Sequence, residues 1–186
     1  MGAKAGLTRD DVLTTATELA DRDGLDEVTL GAVARALGVK TPSLYHHVDG
    51  LPGVRRDLAM RAAGQMAAVM TEAAAVDDPR RALRAIAHAY RSFAGDHPGL
   101  YAAMLPAPRP GEDDELYAVL AGPVEAVVPV LAALGVGEAE MISTVRIIRS
   151  LLHGFVTLER DGGFGMPVDI DETFEQLVAS IERLVG

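Results

Sequence analysis

The sequence predicts an all-α fold, with an N-terminal three-helix unit joined by a long helix to a C-terminal helical domain. Apolar residues recur at helical spacing between capping residues along most of the 186-residue chain. No stretch shows the alternation of apolar and polar residues that marks a strand. Alanine, leucine and valine dominate the apolar 49% of the sequence, which also favours packed helices.

The first two helices are marked by their ends. Thr8 is expected to cap the first helix, with Asp11 three residues later giving a weak form of the capping box. Gly24 should end that helix. Thr29 begins a shorter helix, which Gly38 ends.

A third short helix is predicted in the segment GVKTPSLYHHV, residues 38–48. Thr41 is its expected N-cap and Pro42 its first helical residue. Leu44 and Val48 lie one turn apart and should face inward together with Val39. Three helices with a glycine-containing turn before the third predict a helix-turn-helix.

The remaining predicted elements are helices and the loops between them. We expect two domains, residues 1–50 and residues 51–186. The long connecting helix is expected at about residues 50–75. An acidic run at 112–115 should begin a helix that Gly122-Pro123 breaks or kinks and Pro129 bends. The other predictions are helices at about 79–95, 98–104, 138–160 and 170–185, and a proline-rich loop at 105–111.

Composition limits the cellular setting. The chain has no cysteine, which excludes disulfides and fits a reducing cytoplasm. No apolar run is expected to span a membrane, and MGAKAGLTRD lacks the apolar core of a signal peptide. We therefore expect a cytoplasmic protein without a membrane partner.

The net charge of −10 at first argues against a nucleic-acid partner, but the charge is uneven. Residues 1–61 contain 8 basic and 9 acidic residues, whereas residues 62–186 contain 9 basic and 18 acidic residues. The N-terminal third is therefore close to neutral. This difference predicts two units with different partners.

The third helix has side chains suited to DNA. In a helix-turn-helix this helix enters the major groove with its N-terminal residues leading. Lys40 can contact a phosphate, the hydroxyls of Thr41 and Ser43 are small donors, and an exposed proline can contact a thymine methyl. A plain helical hairpin with a solvated face is the alternative interpretation of the same pattern.

LGVKTPSLYHHV resembles the recognition segment of the tetracycline-repressor family of bacterial regulators, and residues 8–60 fit that family throughout. The resemblance implies a homodimeric transcriptional regulator, most often a repressor, that binds a pseudo-palindromic DNA operator. Carried over by position, the DNA face comprises Thr29, Lys40, Thr41, Pro42, Ser43, Tyr45, His46 and His47.

Two positions depart from the family pattern. Leu51 stands where many members have a phosphate-binding lysine, and Gly31 stands where some have an arginine. Arg55 or Arg56 is a candidate replacement for the missing charge. We therefore expect few ionic contacts to DNA and a shallow dependence of affinity on salt.

The C-terminal region resembles a Trp-His-Gly subgroup of the family at HPGLYAAML, 97–105, and LLHGFVTLERDGGFG, 151–165, although Leu152 replaces the tryptophan. The resemblance implies that the last two helices pair with those of a second copy in a four-helix bundle. The alternative is that their apolar faces close the monomer core. The expected interface residues are Ile142, Val145, Ile148, Arg149, Leu152, Phe174, Leu177, Val178 and Ile181.

Family members usually release DNA when a small molecule binds the C-terminal domain. We expect a largely apolar effector, although a methionine or aromatic residue at helical spacing is more often core. The candidate pocket residues are Met66, Met70, His88, Tyr90, Phe93, Tyr101, Met104, His153 and Phe155.

Other functional classes fit the sequence less well. It has no His-x-x-x-His pair, no nucleophile elbow and no phosphate-binding loop, so we expect no enzyme activity, metal or cofactor. A helical adaptor that binds only protein would explain the acidic surface. That alternative does not explain why polar side chains are concentrated at residues 40–47.

Overall fold

The computed structural model describes residues 6–109 and 111–186, and in these two ranges the regular structure is helical. The α-helices are α1 (Arg9–Asp23), α2 (Leu30–Leu37), α3 (Gly50–Ala74), α4 (Pro79–Asp96), α5 (Pro98–Ala103), α6 (Asp114–Ala133), α7 (Glu138–Arg160) and α8 (Ile170–Leu184). Two 3₁₀ segments, Leu25–Glu27 and Thr41–His46, lie among the N-terminal helices. The all-α prediction is confirmed.

The predicted caps of α1 and α2 are confirmed. Thr8 Oγ1 accepts a hydrogen bond from the Asp11 backbone N–H at 3.1 Å, and the Thr8 N–H donates to the Asp11 carboxylate at 2.8 Å. This is a complete capping box. Gly38 ends α2 in the left-handed conformation with φ 68°, which a glycine adopts without strain.

The third helix differs from its prediction. Residues Thr41–His46 form a 3₁₀ helix, and Lys40, rather than Thr41, occupies the N-cap position. No side chain caps this helix; instead the Ser43 N–H bonds the Lys40 carbonyl at 2.9 Å in the tighter i to i+3 pattern. Leu44 and Val48 are buried as predicted, and they attach the segment to the core.

The C-terminal helices lie close to their predicted ranges. Of the two alternatives predicted for Gly122-Pro123, a break or a kink of α6, the break is wrong. The helix continues through Pro123 and Pro129 without a break. Asp78 begins α4 by accepting a hydrogen bond from the Arg81 N–H at 2.8 Å. Of the predicted loop at 105–111, Pro110 lies outside the described residues.

Packing divides the chain into two compact units. The N-terminal unit contains residues 6–63 and 96–120, and the C-terminal unit contains residues 64–95 and 121–186. The unit boundary therefore falls within α3 and within α6, whereas the sequence predicted a domain boundary at residue 50, where α3 begins. α5 packs on α1, and residues 96–120 accordingly belong to the N-terminal unit.

Asp21 of α1 supplies the missing cap of α5. One oxygen of its carboxylate accepts hydrogen bonds from the backbone N–H groups of Gly99 and Leu100, at 2.9 and 3.0 Å. The other carboxylate oxygen lies 3.1 Å from Nδ1 of His97. A six-residue helix is too short to be stable alone, so α5 depends on this contact with α1.

Gly99 permits the close approach of the two helices. A Cβ placed on Gly99 would lie 2.2 Å from the carbonyl carbon of Ala20 and 2.3 Å from its oxygen. Both are backbone atoms of α1, so no side-chain rotation can relieve the overlap. The position therefore requires glycine.

The C-terminal unit joins α4 to α7 and α8 through charged side chains. The Arg91 guanidinium pairs with Glu159 and with Asp171, and it lies 4.7 Å from the centre of the Phe174 ring. Arg84 pairs with Glu175 and Glu182. These contacts surround the buried apolar face of α8.

Length and composition alone would let α6 and α7 cross a membrane, which the sequence analysis did not anticipate. Core helices of soluble proteins pass the same test. In this structure α7 buries an apolar face that includes Met141, Leu152 and Val156.

We predict that Gly99→Ala lowers the free energy of unfolding by about 1–3 kcal/mol, because the new methyl group overlaps the α1 backbone. Gly64→Ala is the matched control, since a Cβ on Gly64 of α3 meets nothing within 4 Å. That variant should gain about 0.5–1 kcal/mol from helix propensity. Urea denaturation measures both, and equal stability of the two variants would contradict the role given to Gly99.

Candidate nucleic-acid interface

The N-terminal unit exposes most of the residues expected to contact DNA. Thr29, Lys40, Pro42 and His46 are exposed, and 61% of Tyr45 is accessible. Thr41, Ser43 and His47 are half-buried. None of these eight side chains is buried. The structure thus brings seven of them together on one short segment and its flanks, with Thr29 at the start of α2.

The segment is positioned by its apolar residues. Leu44 is completely buried and Val48 nearly so, while the neighbouring Tyr45 and His46 point to solvent. Buried anchors fix a short 3₁₀ helix that has no side-chain cap of its own. The polar side chains therefore project from a defined backbone, which is what readout of base edges requires.

Thr29 has a structural role as well. Its Oγ1 accepts a hydrogen bond from the Ala32 N–H at 3.1 Å and so caps α2. The hydroxyl hydrogen is still free to be donated. A phosphate next to the start of α2 would also meet the N–H groups of the first helical turn.

The basic side chains of this unit are largely paired with carboxylates. Five arginines within residues 6–63 form ion pairs, namely Arg9, Arg22, Arg55, Arg56 and Arg61. In the same range Arg35 and Lys40 are exposed and make no ion pair with a described residue. Arg35 is not among the residues that the sequence analysis expects to contact DNA, because only the structure shows which arginines are paired.

Arg56 is the most strongly paired of these residues. Its guanidinium contacts the carboxylates of Asp113 and Glu115, all three within the N-terminal unit. Hydrogen bonds from Arg56 lower the pKa of Asp113 to about 2, and the same contacts raise the pKa of Arg56. Arg56 is thus a poor substitute for the lysine absent at Leu51. Arg55, 3.7 Å from the fully exposed Asp26, is less constrained.

The expected dimer residues lie on two different faces. Ile142 and Arg149 are exposed and Leu177 is half-buried, so these three remain available. The other six have no surface to offer a second chain, because they form the core of the C-terminal unit. They are Val145, Ile148, Leu152, Phe174, Val178 and Ile181.

A neighbouring stripe of α7 is apolar and exposed. Ile147, Leu151 and Leu158 are 47%, 39% and 49% exposed, and Gly154 lies between them. Spacings of four, three and four residues place these positions on one side of a helix. Leu184 of α8 is exposed as well.

The expected effector pocket is mostly core. His88 is half exposed and bonded to Glu175, and His153 is half-buried. Tyr101 and Met104 are assigned to the N-terminal unit and the other seven residues to the C-terminal unit. Seven of the nine side chains are buried, because large apolar residues fill the interior that would otherwise be a cavity. They are Met66, Met70, Tyr90, Phe93, Tyr101, Met104 and Phe155.

An open groove lies elsewhere in the C-terminal unit, with a volume of about 540 Å³. Small residues of α3, α4 and α6 line it, including Ala67, Ala82 and Ala126. At the point where α3 and α6 meet, a Cβ on Gly122 would lie 3.0 Å from the Ala67 Cβ. Sequence reasoning missed this groove because alanines mark no particular site.

A helix-turn-helix with exposed polar side chains, followed by a separate helical unit, defines a DNA-binding transcriptional regulator. Comparisons with known proteins identify the family. Residues 12–47 match the model described as bacterial regulatory proteins of the tetR family, and residues 83–181 match a tetracyclin repressor-like C-terminal domain. The chain belongs to the tetracycline-repressor family of bacterial transcriptional regulators.

Individual relatives agree. The chain is 35% identical over 183 residues to a helix-turn-helix transcriptional regulator of Mycobacterium tuberculosis, covering 96% of this chain and 84% of the relative. It is 33% identical over 174 residues to a Bacillus subtilis regulator of the same type, covering 93% and 90%. A Rhodococcus protein of unknown function shares the fold, with a TM-score of 0.82, 24% identity and coverage of 98% and 97%.

We predict a shallow salt dependence of DNA affinity. If Arg35 and Lys40 are the contacting cations, log K against log salt should fall with a slope of about −1.8 for each bound protomer. Arg35→Ala should make that slope shallower by about 0.9 per protomer. Arg22→Ala is the control, because Arg22 is exposed but paired with Asp23. A slope twice as steep in the parent protein would show that the paired arginines also contact DNA.

Proposed function

We propose that the protein is a cytoplasmic, homodimeric repressor that binds a pseudo-palindromic DNA operator and is released by a small, largely apolar effector. The observation that carries the proposal is the segment at 40–47, whose exposed polar side chains project from the buried anchors Leu44 and Val48. A helix-turn-helix dimer places two such segments about one DNA turn apart.

The DNA face favours readout of bases over electrostatic attraction. Hydroxyl, phenol and imidazole groups of this face can form directional hydrogen bonds with bases. Positive charge that is not already paired with a carboxylate comes from Arg35 and Lys40. The net charge of −10 repels DNA at long range. Specific complexes should therefore depend more on the fit of the segment than in a strongly basic regulator.

The exposed stripe of α7 supports dimerisation. Ile147, Leu151 and Leu158, together with Leu184 of α8, would remain in water in a single chain. A second copy of α7 and α8 would cover them in a four-helix bundle, with Gly154 allowing close approach of the helices.

The groove of the C-terminal unit is the proposed effector site. Its volume of about 540 Å³ suits a small organic molecule, and its wall is largely apolar. The end of α3, the beginning of α4 and the second half of α6 all line it. A ligand that wedges between these helices can alter their spacing.

A change at the groove can reach the DNA face along the chain. α3 is one continuous helix that begins just after the recognition segment, and α4 leads directly into α5. Asp21 and Gly99 then couple α5 to α1. An effector that binds best to a conformation unfit for DNA would shift the population towards it, by the difference in its affinity for the two states.

We predict that Tyr45→Ala abolishes specific DNA binding, because Tyr45 projects from the centre of the recognition segment. Fluorescence anisotropy against DNA from upstream of the coding region, with a random duplex as reference, measures the effect. Tyr117→Ala is the matched control, since Tyr117 is 52% exposed in the same unit but lies on α6. Equal loss in both variants, or loss in neither, would contradict the assigned DNA face.

We predict that Gly154→Arg converts the dimer to a monomer without unfolding it. A Cβ on Gly154 meets nothing within 4 Å in its own chain, and a long side chain there would enter the proposed interface. Gly64→Arg, equally open on α3, is the control and should stay dimeric. Sedimentation velocity reports the mass and circular dichroism the helicity. A dimeric Gly154→Arg protein would place the interface elsewhere.

A further inference from the structure

We infer that the groove of the C-terminal unit binds a protonated amine carried on an apolar body, that is, a small organic ammonium ion. The inference rests on the groove as the proposed effector site and adds the chemical class of the ligand. It is supported by the charges of the lining, by a helix carbonyl that lacks its usual donor, and by the wall itself.

The charges of the described lining have one sign. Asp77, in the connection between α3 and α4, and Glu125, on α6, both line the groove. Neither carboxylate makes an ion pair or a side-chain hydrogen bond with a described residue, although most arginines of the chain are paired. Arg80, close to Asp77 in sequence, donates instead to the carbonyl of Gly186. The groove therefore presents two carboxylates without a cation.

α6 also leaves one backbone acceptor without its helical donor, in a residue that lines the groove. Pro129 lies inside α6 and lines the groove, and a proline has no backbone N–H. The carbonyl of Glu125, four residues earlier, consequently lacks the donor that closes each α-helical turn. Two carboxylates and this carbonyl are all acceptors, so the complementary ligand group carries N–H donors as well as positive charge.

The remaining wall accounts for the apolar body. Alanines, Val130 and Pro129 supply most of the lining, and the volume of about 540 Å³ admits a chain or ring of drug-like size. Because both carboxylates are exposed, water screens each ion pair, and charge alone gives only a limited gain in affinity. Burial of the hydrocarbon portion supplies the rest.

Isothermal titration calorimetry on the full chain, without DNA, tests the class directly. Octylammonium, octanol and octanoate share a hydrocarbon chain and differ in charge. At low salt octylammonium should bind about tenfold more tightly than octanol, and octanoate should bind most weakly. Equal affinities for the three, or no binding by octylammonium, would overturn the inference.

Variants tie the preference to the groove. The double variant Asp77→Asn, Glu125→Gln should bind octylammonium and octanol equally, with octanol affinity unchanged. Glu72→Gln removes an exposed carboxylate of α3 that does not line the groove, so it should keep the tenfold preference. A preference that survives in the double variant would mean that the amine binds elsewhere.

A quaternary ligand separates charge from hydrogen bonding. Octyltrimethylammonium keeps the charge but donates no hydrogen bond, so it should bind more weakly than octylammonium. Equal binding would overturn the part given to the Glu125 carbonyl.

DNA release is measured apart from binding. Octylammonium is added to the protein–DNA complex in the anisotropy assay, and loss of DNA supports the effector role of the groove. If the amine binds the groove with the stated preference but releases no DNA, the ligand class stands and the effector role fails.

Discussion

The carboxylate of Asp21 joins two parts of the chain that are 78 residues apart, and the N-terminal unit depends on that contact. It caps the short helix α5, and the absence of a side chain at Gly99 lets α5 rest on the backbone of Ala20. Through it, α1 is attached to the helix that follows α4. The recognition segment is thus part of a unit that also includes α5 and the start of α6, so an event at α4 has a covalent path to the DNA-binding half.

The N-terminal unit uses its arginines mainly to stabilise itself. Arg56, held by Asp113 and Glu115, and Arg9, paired with the buried Asp57, connect helices through ion pairs. With these arginines paired and leucine at position 51, few positive charges remain for contact with phosphates. This distribution of charge leaves a DNA face rich in hydroxyl and aromatic groups and poor in cations. From the same distribution we expect DNA affinity that depends weakly on salt, and discrimination that depends on shape and hydrogen bonding.

Helix ends could be predicted from the sequence because caps are local: Thr8 with Asp11, and Gly38 in the left-handed region, need only their neighbours. The contact of Asp21 with α5 could not, since no local pattern marks it. Apolar periodicity found the strongest face of α7, which is the core face, and therefore missed the stripe at Ile147 and Leu151. The groove of the C-terminal unit could not be predicted, because its wall consists mainly of small residues. Large side chains fill space, whereas small residues leave it open.

Hydroxyl-radical footprinting on an operator selected from random DNA tests the central claim most directly, because it shows how the protein lies on the duplex. A dimer that reads DNA through residues 40–47 should protect two half-sites related by a dyad, with centres about one helical turn, or ~34–36 Å, apart or slightly more. A single asymmetric footprint, or failure of the selection to enrich any sequence, would contradict the account.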